Sequence, residues 1–278
     1  MTLSEALTEA KEKLYHACER PYFEAELLLS HHLNKPRIYL ITHSDEALND
    51  TQAFYSLVNR RAAHEPMEYI THKVSFYDTE LYIASGALIP RPETELLVDE
   101  ASSIIEQEHL SHIAEIGIGS GAISIMLARK FPNLKIEASD ISEDALLIAH
   151  HNIKTFDLQD RVNLHHTSLF DDIKISSKCP IEMLVSNPPY IPINTPLAPN
   201  VAEYEPHTAL YSEERGDELL RKIILDTSKR EIKYLICEMG YDQKKYISDF
   251  VKELGVYSIR FYQDFSGLDR GFIIKFTE

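Results

Sequence analysis

Cysteine is scarce in this chain of 278 residues: Cys18, Cys179 and Cys237 are odd in number and far apart. A disulfide framework needs pairs and a zinc site needs close spacing, so the three read as free thiols in a reducing compartment. Long apolar runs are missing too, and no segment reaches the roughly 20 residues needed to cross a bilayer. The opening stretch, "MTLSEALTEAKEKL", lacks the basic start and continuous apolar run of a signal peptide. A cytoplasmic protein with no membrane association is the expectation. Positive charge is also short, with 28 Lys and Arg against 44 Asp and Glu and a formal net charge of −16. Binding a nucleic-acid backbone draws on cations that replace condensed counterions, so a long duplex is a poor candidate substrate and no direct DNA binding is expected. The acidic surface favours solubility and a basic protein partner. There is no internal repeat or low-complexity segment, and 44% hydrophobic content suffices for one sizeable core plus a smaller domain.

Leu3, Leu7, Ala10 and Leu14 share a helical face, and Pro21 opens "PYFEAELLLSHHL" as a first-turn residue. A third piece follows Pro36, and Asn49 or Asp50 caps "ALNDTQAFYSLVNRRAAH". These segments predict a small helical domain over residues 1–70. "HKVSFYDTELYIAS" carries two β-rich runs around Asp78-Thr79 and predicts a hairpin linker within 71–90. Over 91–278, helical runs such as "ETELLVDEASSIIEQ" and "AISIMLARKF" alternate with strand-like runs "HIAEIG", "KIEASD", "IEMLVS" and "YLICEMG". That alternation predicts an α/β fold, a Rossmann-like, mostly parallel sheet with helices on both faces. The last two strands, "YSIRFYQ" and "GFIIKF", have no helix between them, so one runs antiparallel. Ligands of such sheets sit beyond the carboxyl ends of the strands, so the residues closing each strand matter most.

The first of these strands closes in "EIGIGSGAISI", where glycines at 117, 119 and 121 let the backbone turn and approach a ligand. Gly117, Gly119 and Ala122 also fit the dinucleotide pattern, so the loop alone leaves the ligand open. The second strand closes at Asp140, whose carboxylate suits two ribose hydroxyls and equally a helix cap beside Ser142. The run "IEMLVS" closes in "SNPPY". Pro188 biases Asn187 toward extended geometry, and Pro188 and Pro189 remove two N–H donors from the corner. What remains is acceptor-rich: the Asn187 side-chain oxygen and the Pro188 carbonyl. Two such oxygens can hold an NH₂ whose lone pair is delocalised into a carbonyl or a ring, and Tyr190 can stack on a planar group.

These residues resemble the amino-methylating class I S-adenosylmethionine-dependent methyltransferases, which build a seven-stranded sheet. "EPMEYITHKVSFYDTELYI", "LIPRPETELLVDE", "EIGIGSGAISI", "SDIS", "VSNPPYIP", "VAEYEPHTAL" and "DFSGLDRGF" follow one another as in the HemK/PrmC family. Its members are glutamine N5-methyltransferases of peptide-chain release factors, and the resemblance covers nearly the whole chain. "IPRPETE" separates this family from the adenine and cytosine amino-methyltransferases that share the Asn-Pro-Pro-Tyr tetrad.

The resemblance implies S-adenosyl-L-methionine as cofactor. Gly117, Ile118, Gly119, Ser120 and Gly121 would cradle its methionine part, and Asp140 would hold its ribose. Asn187, Pro188, Pro189 and Tyr190 would bind the substrate amide, with Arg91, Pro92 and Thr94 lining the site and no metal taking part. Bacterial class 1 release factors would be the partners, met by the helical domain and offering the glutamine of a Gly-Gly-Gln loop. Ser168, followed by Leu169, stands where the family commonly has an acidic residue near the adenine. His72 replaces a usual glycine, and "YSEERGDELL" replaces a glycine-rich stretch, which predicts altered loops there. The implied chemistry is in-line displacement by the amide nitrogen on a sulfonium methyl, with no general base. Rival readings are an adenine or cytosine amino-methyltransferase, a dinucleotide oxidoreductase, and a binding module that has kept the fold. The histidine pairs 31/32, 150/151 and 165/166 are adjacent in sequence, share no helix face and read as surface or capping residues. "RRAAHEP" reads as a solvated helix end.

Overall fold

The computed structural model describes residues 1–169, 171, 173 and 180–278. Cys179, read above as a thiol, lies outside the described residues. The chain divides into two compact units, one formed by Met1–Lys73 with Leu197–Tyr204, the other by Val74–Pro196 with Glu205–Glu278. Segment 197–204 thus belongs with the helical unit although it lies deep in the second half of the sequence.

In the helical unit, α1 (Leu3–Leu14) starts at a reciprocal cap. The Glu5 N–H donates to Thr2 Oγ1 at 3.2 Å and the Thr2 N–H to a Glu5 carboxylate oxygen at 2.8 Å. Leu3, Leu7, Ala10 and Leu14 are buried, as their spacing predicts. α2 (Pro21–Leu33) has Pro21 in its first turn and ends at Asn34 in the left-handed region. α3 (Arg37–Thr42) and α4 (Thr51–Ala62) follow, and of the two candidate caps for α4 it is Asp50 that accepts from the Ala53 N–H. α5 (Met67–Thr71) ends at His72 with φ +58°, so the histidine adopts the left-handed conformation that glycine takes most readily. Arg60 and Arg61 of "RRAAHEP" are paired with Glu65 and Glu24, which neutralises that basic run.

The hairpin of β1 (Lys73–Phe76) and β2 (Thr79–Tyr82) follows, turning at Tyr77 and Asp78, one residue before the expected turn. Tyr77 takes φ +52°, and its hydroxyl donates to the Glu95 carbonyl at 2.6 Å. Then come α6 (Thr94–Glu108), β3 (His112–Ile116), α7 (Ala122–Lys130), β4 (Lys135–Asp140), α8 (Glu143–Thr155), β5 (Val162–His166) and β6 (Met183–Ser186). The short helices α9 (Pro199–Ala202), within the helical unit, and α10 (His207–Leu210) precede α11 (Glu218–Lys229), β7 (Tyr234–Glu238), α12 (Lys244–Lys252), β8 (Ser258–Gln263) and β9 (Asp269–Lys275).

Seven strands form one sheet in the order β5-β4-β3-β6-β7-β9-β8. The first five are parallel, and β9 pairs antiparallel with both β7 and β8. This is the α/β sheet that the sequence predicts. Every residue of β3, β6 and β7 is buried, the mark of strands covered on both faces. Ile116 stands opposite Ser139 on one side and Ser186 on the other, so β3, β4 and β6 run out at nearly the same level. The sheet order reverses direction between β3 and β6. That is a topological switch point, where the strand ends leave a crevice.

Candidate active site

The crevice encloses about 1070 Å³, its open mouth included. After β3 the chain turns through the glycine loop. The Gly117 and Ile118 N–H groups both donate to the Ser139 carbonyl, and the Gly121 N–H donates to the Ile118 carbonyl. Gly119 has φ +55°, and a Cβ placed there would meet nothing within 4 Å, so the backbone borders open space. Gly121 has φ +86°, and a Cβ there would come within 3.2 Å of Ile125 Cδ1 and press on α8 at Ala149. The first of these glycines leaves room for a ligand and the second lets α7 pack.

Asp140 closes β4 with both carboxylate oxygens engaged: Oδ2 accepts from the Gly119 N–H at 3.0 Å and Oδ1 from the Ser142 N–H at 2.9 Å. The cap of α8 is the Ser142 hydroxyl, which accepts from the Ala145 N–H. Asp140 therefore ties the glycine loop to the β4 end and keeps lone pairs for hydroxyl donors in the cleft. Burial raises its carboxyl above the ordinary range, while the N–H groups of Gly119, Ser142 and Ile141 pull it back.

The Asn-Pro-Pro corner closes β6, with the Ser186 hydroxyl anchored on the Ile116 carbonyl at 2.8 Å. Asn187 Nδ2 donates to Thr94 Oγ1 at 3.1 Å, and Thr94 Oγ1 donates to Glu238 Oε2 at 2.8 Å. Tyr190 Oη donates to Glu238 Oε1 at 2.9 Å. The Asn187 amide is thus held by its nitrogen, and its oxygen is the atom left for a ligand. Burial raises the Glu238 carboxyl, against the lowering effect of the two hydroxyls and of Arg270; burial and Glu238 together raise the Tyr190 phenol, so it stays protonated.

Of the predicted residues, Gly117, Ile118, Gly119, Ser120, Asp140, Ser168, Leu169, Thr94, Asn187, Pro188 and Pro189 line the cleft. Gly121, Tyr190, Arg91 and Pro92 are not in its wall. The Tyr190 ring packs against the core that includes Leu220 and Ile247. Arg91 Nη2 is paired at 2.5 Å with Glu205, whose other oxygen accepts from the Ile89 N–H at 3.1 Å. Leu169 is buried with φ +52°, and its carbonyl accepts from the Ser139 hydroxyl. His165 is hydrogen-bonded to Glu137 and His166 to the Ile141 carbonyl. Among the described residues no cluster of His, Cys, Asp and Glu could hold a metal ion.

Three carboxylates escaped the sequence reading: Glu115, Glu205 and Glu238. Each is buried, and Glu115 and Glu238 lie inside otherwise apolar strand runs, a signal that was available. Glu115 lines the cleft. Its Oε2 accepts from the Ser124 N–H at 3.0 Å and from the Ser124 hydroxyl, while its Oε1 has no protein partner. Burial and the nearby Asp140 raise its carboxyl to about 8. An orphaned, buried carboxylate oxygen beside a glycine loop suits a cationic donor, and Asp140 suits a diol. A ligand carrying an ammonium group and a ribose fits this donor set.

Residues 5–71 match the model of the PrmC N-terminal domain, and residues 93–198 that of the methyltransferase small domain. A release factor glutamine methyltransferase of Clostridium acetobutylicum is 32% identical over 279 residues, covering 97% of this chain and 97% of that protein. A bifunctional methyltransferase of Rickettsia bellii is 34% identical over 303 residues, and there the chain spans only 54% of its relative. The catalytic domain of human Mettl16, solved with a MAT2A 3'UTR hairpin, shares the fold at a TM-score of 0.61 and 16% identity, over 79% of this chain and 83% of that one. With both family models in register and a full-length relative at this identity, the chain belongs to the release factor glutamine methyltransferase family.

Proposed function

We propose that this chain transfers a methyl group from S-adenosyl-L-methionine to the side-chain amide nitrogen, N5, of the glutamine in the Gly-Gly-Gln loop of bacterial class 1 release factors. The observation that carries the reading is the Asn187 amide, fixed by its nitrogen at 3.1 Å from Thr94 with its oxygen free, in a corner stripped of N–H donors by two prolines. When bound, the cofactor supplies an electrophilic methyl group on a sulfonium sulfur. Glu115 and Asp140 would hold its ammonium and ribose, and the backbone at Gly119 would lie against its methionine part. Asn187 Oδ1 and the Pro188 carbonyl take the two N–H bonds of the substrate amide, which fixes the nitrogen's direction and excludes water from it. Alignment of this kind removes about 7–11 kcal/mol from a bimolecular barrier in favourable cases. The same two oxygens stabilise positive charge that grows on the nitrogen, and no base is needed before attack because the proton becomes acidic only as the new bond forms. The helical unit, acidic like the rest of the chain, recognises the release factor, and the reaction is cytoplasmic. A net charge of −16 weighs against a nucleic-acid amino group as acceptor. Fragment mass mapping of a release factor incubated with the enzyme and cofactor tests the reading: one methyl on the Gly-Gly-Gln glutamine supports it, and methylation elsewhere or nowhere refutes it.

A further inference from the structure

The hydrogen bonds behind the acceptor corner run in one direction, and we infer that Glu238 sets that direction and so orients the Asn187 amide. Glu238 is the last residue of β7, 3% exposed, and takes the hydroxyl hydrogens of Thr94 and Tyr190 on its two oxygens. A hydroxyl can donate or accept; Glu238 in its ionised form, which the two hydroxyls and Arg270 favour against burial, only accepts. With its hydrogen committed to Glu238, Thr94 has only a lone pair to offer Asn187, and a lone pair selects the amide's NH₂ end. The Asn187 oxygen is then turned to the substrate. Were the Thr94 hydrogen released, it would donate to Asn187 Oδ1, the amide would flip, and an NH₂ would face the substrate's NH₂. Glu238 also pins Tyr190, two residues beyond the acceptor carbonyl of Pro188, so both acceptors trace to one buried group. An apolar residue would fill this place without the desolvation cost of a carboxylate, which calls for a directional reason. Glu238 is thus a positioning residue, acting through Thr94 and Tyr190, and this role rests on the methyl-transfer reading above.

The test is steady-state methyl transfer to a purified release factor by the wild type, Glu238→Gln, Thr94→Val, Thr94→Ser and the Glu238→Gln/Thr94→Val double variant, with thermal melting and cofactor binding measured on the same samples. A glutamine at 238 accepts from one hydroxyl but donates toward the other, so direction is lost while shape is kept. Its kcat should fall roughly 10–100-fold, as for other losses of an orienting partner. KM for the release factor and affinity for the cofactor should stay within about threefold. Thr94→Ser should restore most of what Thr94→Val loses, and Glu238→Gln should cost clearly less in the Thr94→Val background, where only its Tyr190 arm is left, than it costs in the wild type. Unchanged kcat in Glu238→Gln, or losses that multiply in the double variant, would overturn the inference. If Glu238→Gln fails to fold, Thr94→Ser performing no better than Thr94→Val overturns it alone. No transfer by the wild type, with cofactor bound, refutes the substrate reading instead.

Discussion

At the scale of single residues, the site is a set of acceptor oxygens on groups that protein hydrogen bonds hold in place before any ligand arrives. Asn187 is the sharpest case, because Thr94 holds its nitrogen and leaves its oxygen free. Asn187→Ala should lower turnover roughly 10²–10³-fold while cofactor affinity changes little, measured as kcat beside a binding isotherm. Glu115 is the complementary case. On the proposed cofactor placement, Glu115→Gln removes the carboxyl that would ionise against the cofactor's ammonium and should weaken binding about tenfold or more, read by calorimetry. Its raised carboxyl also makes a stability prediction. Folding favours the protonated form, so the contribution is fully present below about 4.5 and is lost as the pH rises through about 8. The melting temperature of the free protein should therefore decline across that window, and Glu115→Gln should flatten the decline. Asn187, Asp140 and the glycines were legible in the sequence because each closes a strand with a residue type that the strand itself does not need. A carboxylate inside an apolar run marks Glu115 and Glu238 in the sequence, but what they do is not legible there, because their partners Ser124, Thr94 and Tyr190 come from other parts of the chain and only the fold brings them together.

At the scale of elements, periodicity located nearly every helix and strand that carries a continuous apolar face. The strand β5 is the exception. "VNLHH" has one fully buried residue, Val162, so its edge position, paired only with β4, gives it no apolar run to recognise. The short helices α9 and α10 are likewise too brief for a 3.6-residue period to show. The hairpin turn fell one residue early because Tyr77 takes a left-handed conformation that side chains rarely adopt, held there by Glu95 and Asp99. The loop between β3 and α7 makes a prediction at this scale. Gly119→Ala places a methyl in the open space along the cleft and forces a Cβ into φ +55°. The strain costs about 1–2 kcal/mol, visible in denaturant melts, and cofactor affinity should fall by more than that loss of stability explains. At α1, Thr2→Ala breaks the reciprocal cap and should destabilise the chain by about 1 kcal/mol without touching cofactor binding.

At the scale of the whole molecule, the reversal of sheet order between β3 and β6 puts the ends of β3, β4 and β6 at one level, and the glycine loop, Asp140 and the Asn187 corner hang from those ends. The chain divides after Lys73, close to where the periodicity of the sequence changes, and the two-stranded hairpin expected as a linker lies almost wholly in the sheet unit. That residues 197–204 group with the helical unit is not legible, since nothing local in "LAPNVAEY" sets that segment apart from its neighbours in the sequence. The net charge of −16 steers the whole chain toward a protein rather than a nucleic-acid acceptor. The most direct test is methyl transfer from labelled S-adenosylmethionine to a purified bacterial release factor, run beside a copy in which the Gly-Gly-Gln glutamine is replaced by alanine. Label in the first and none in the second is the predicted result; equal label in both, or none in either with cofactor bound, would contradict the glutamine methyltransferase account.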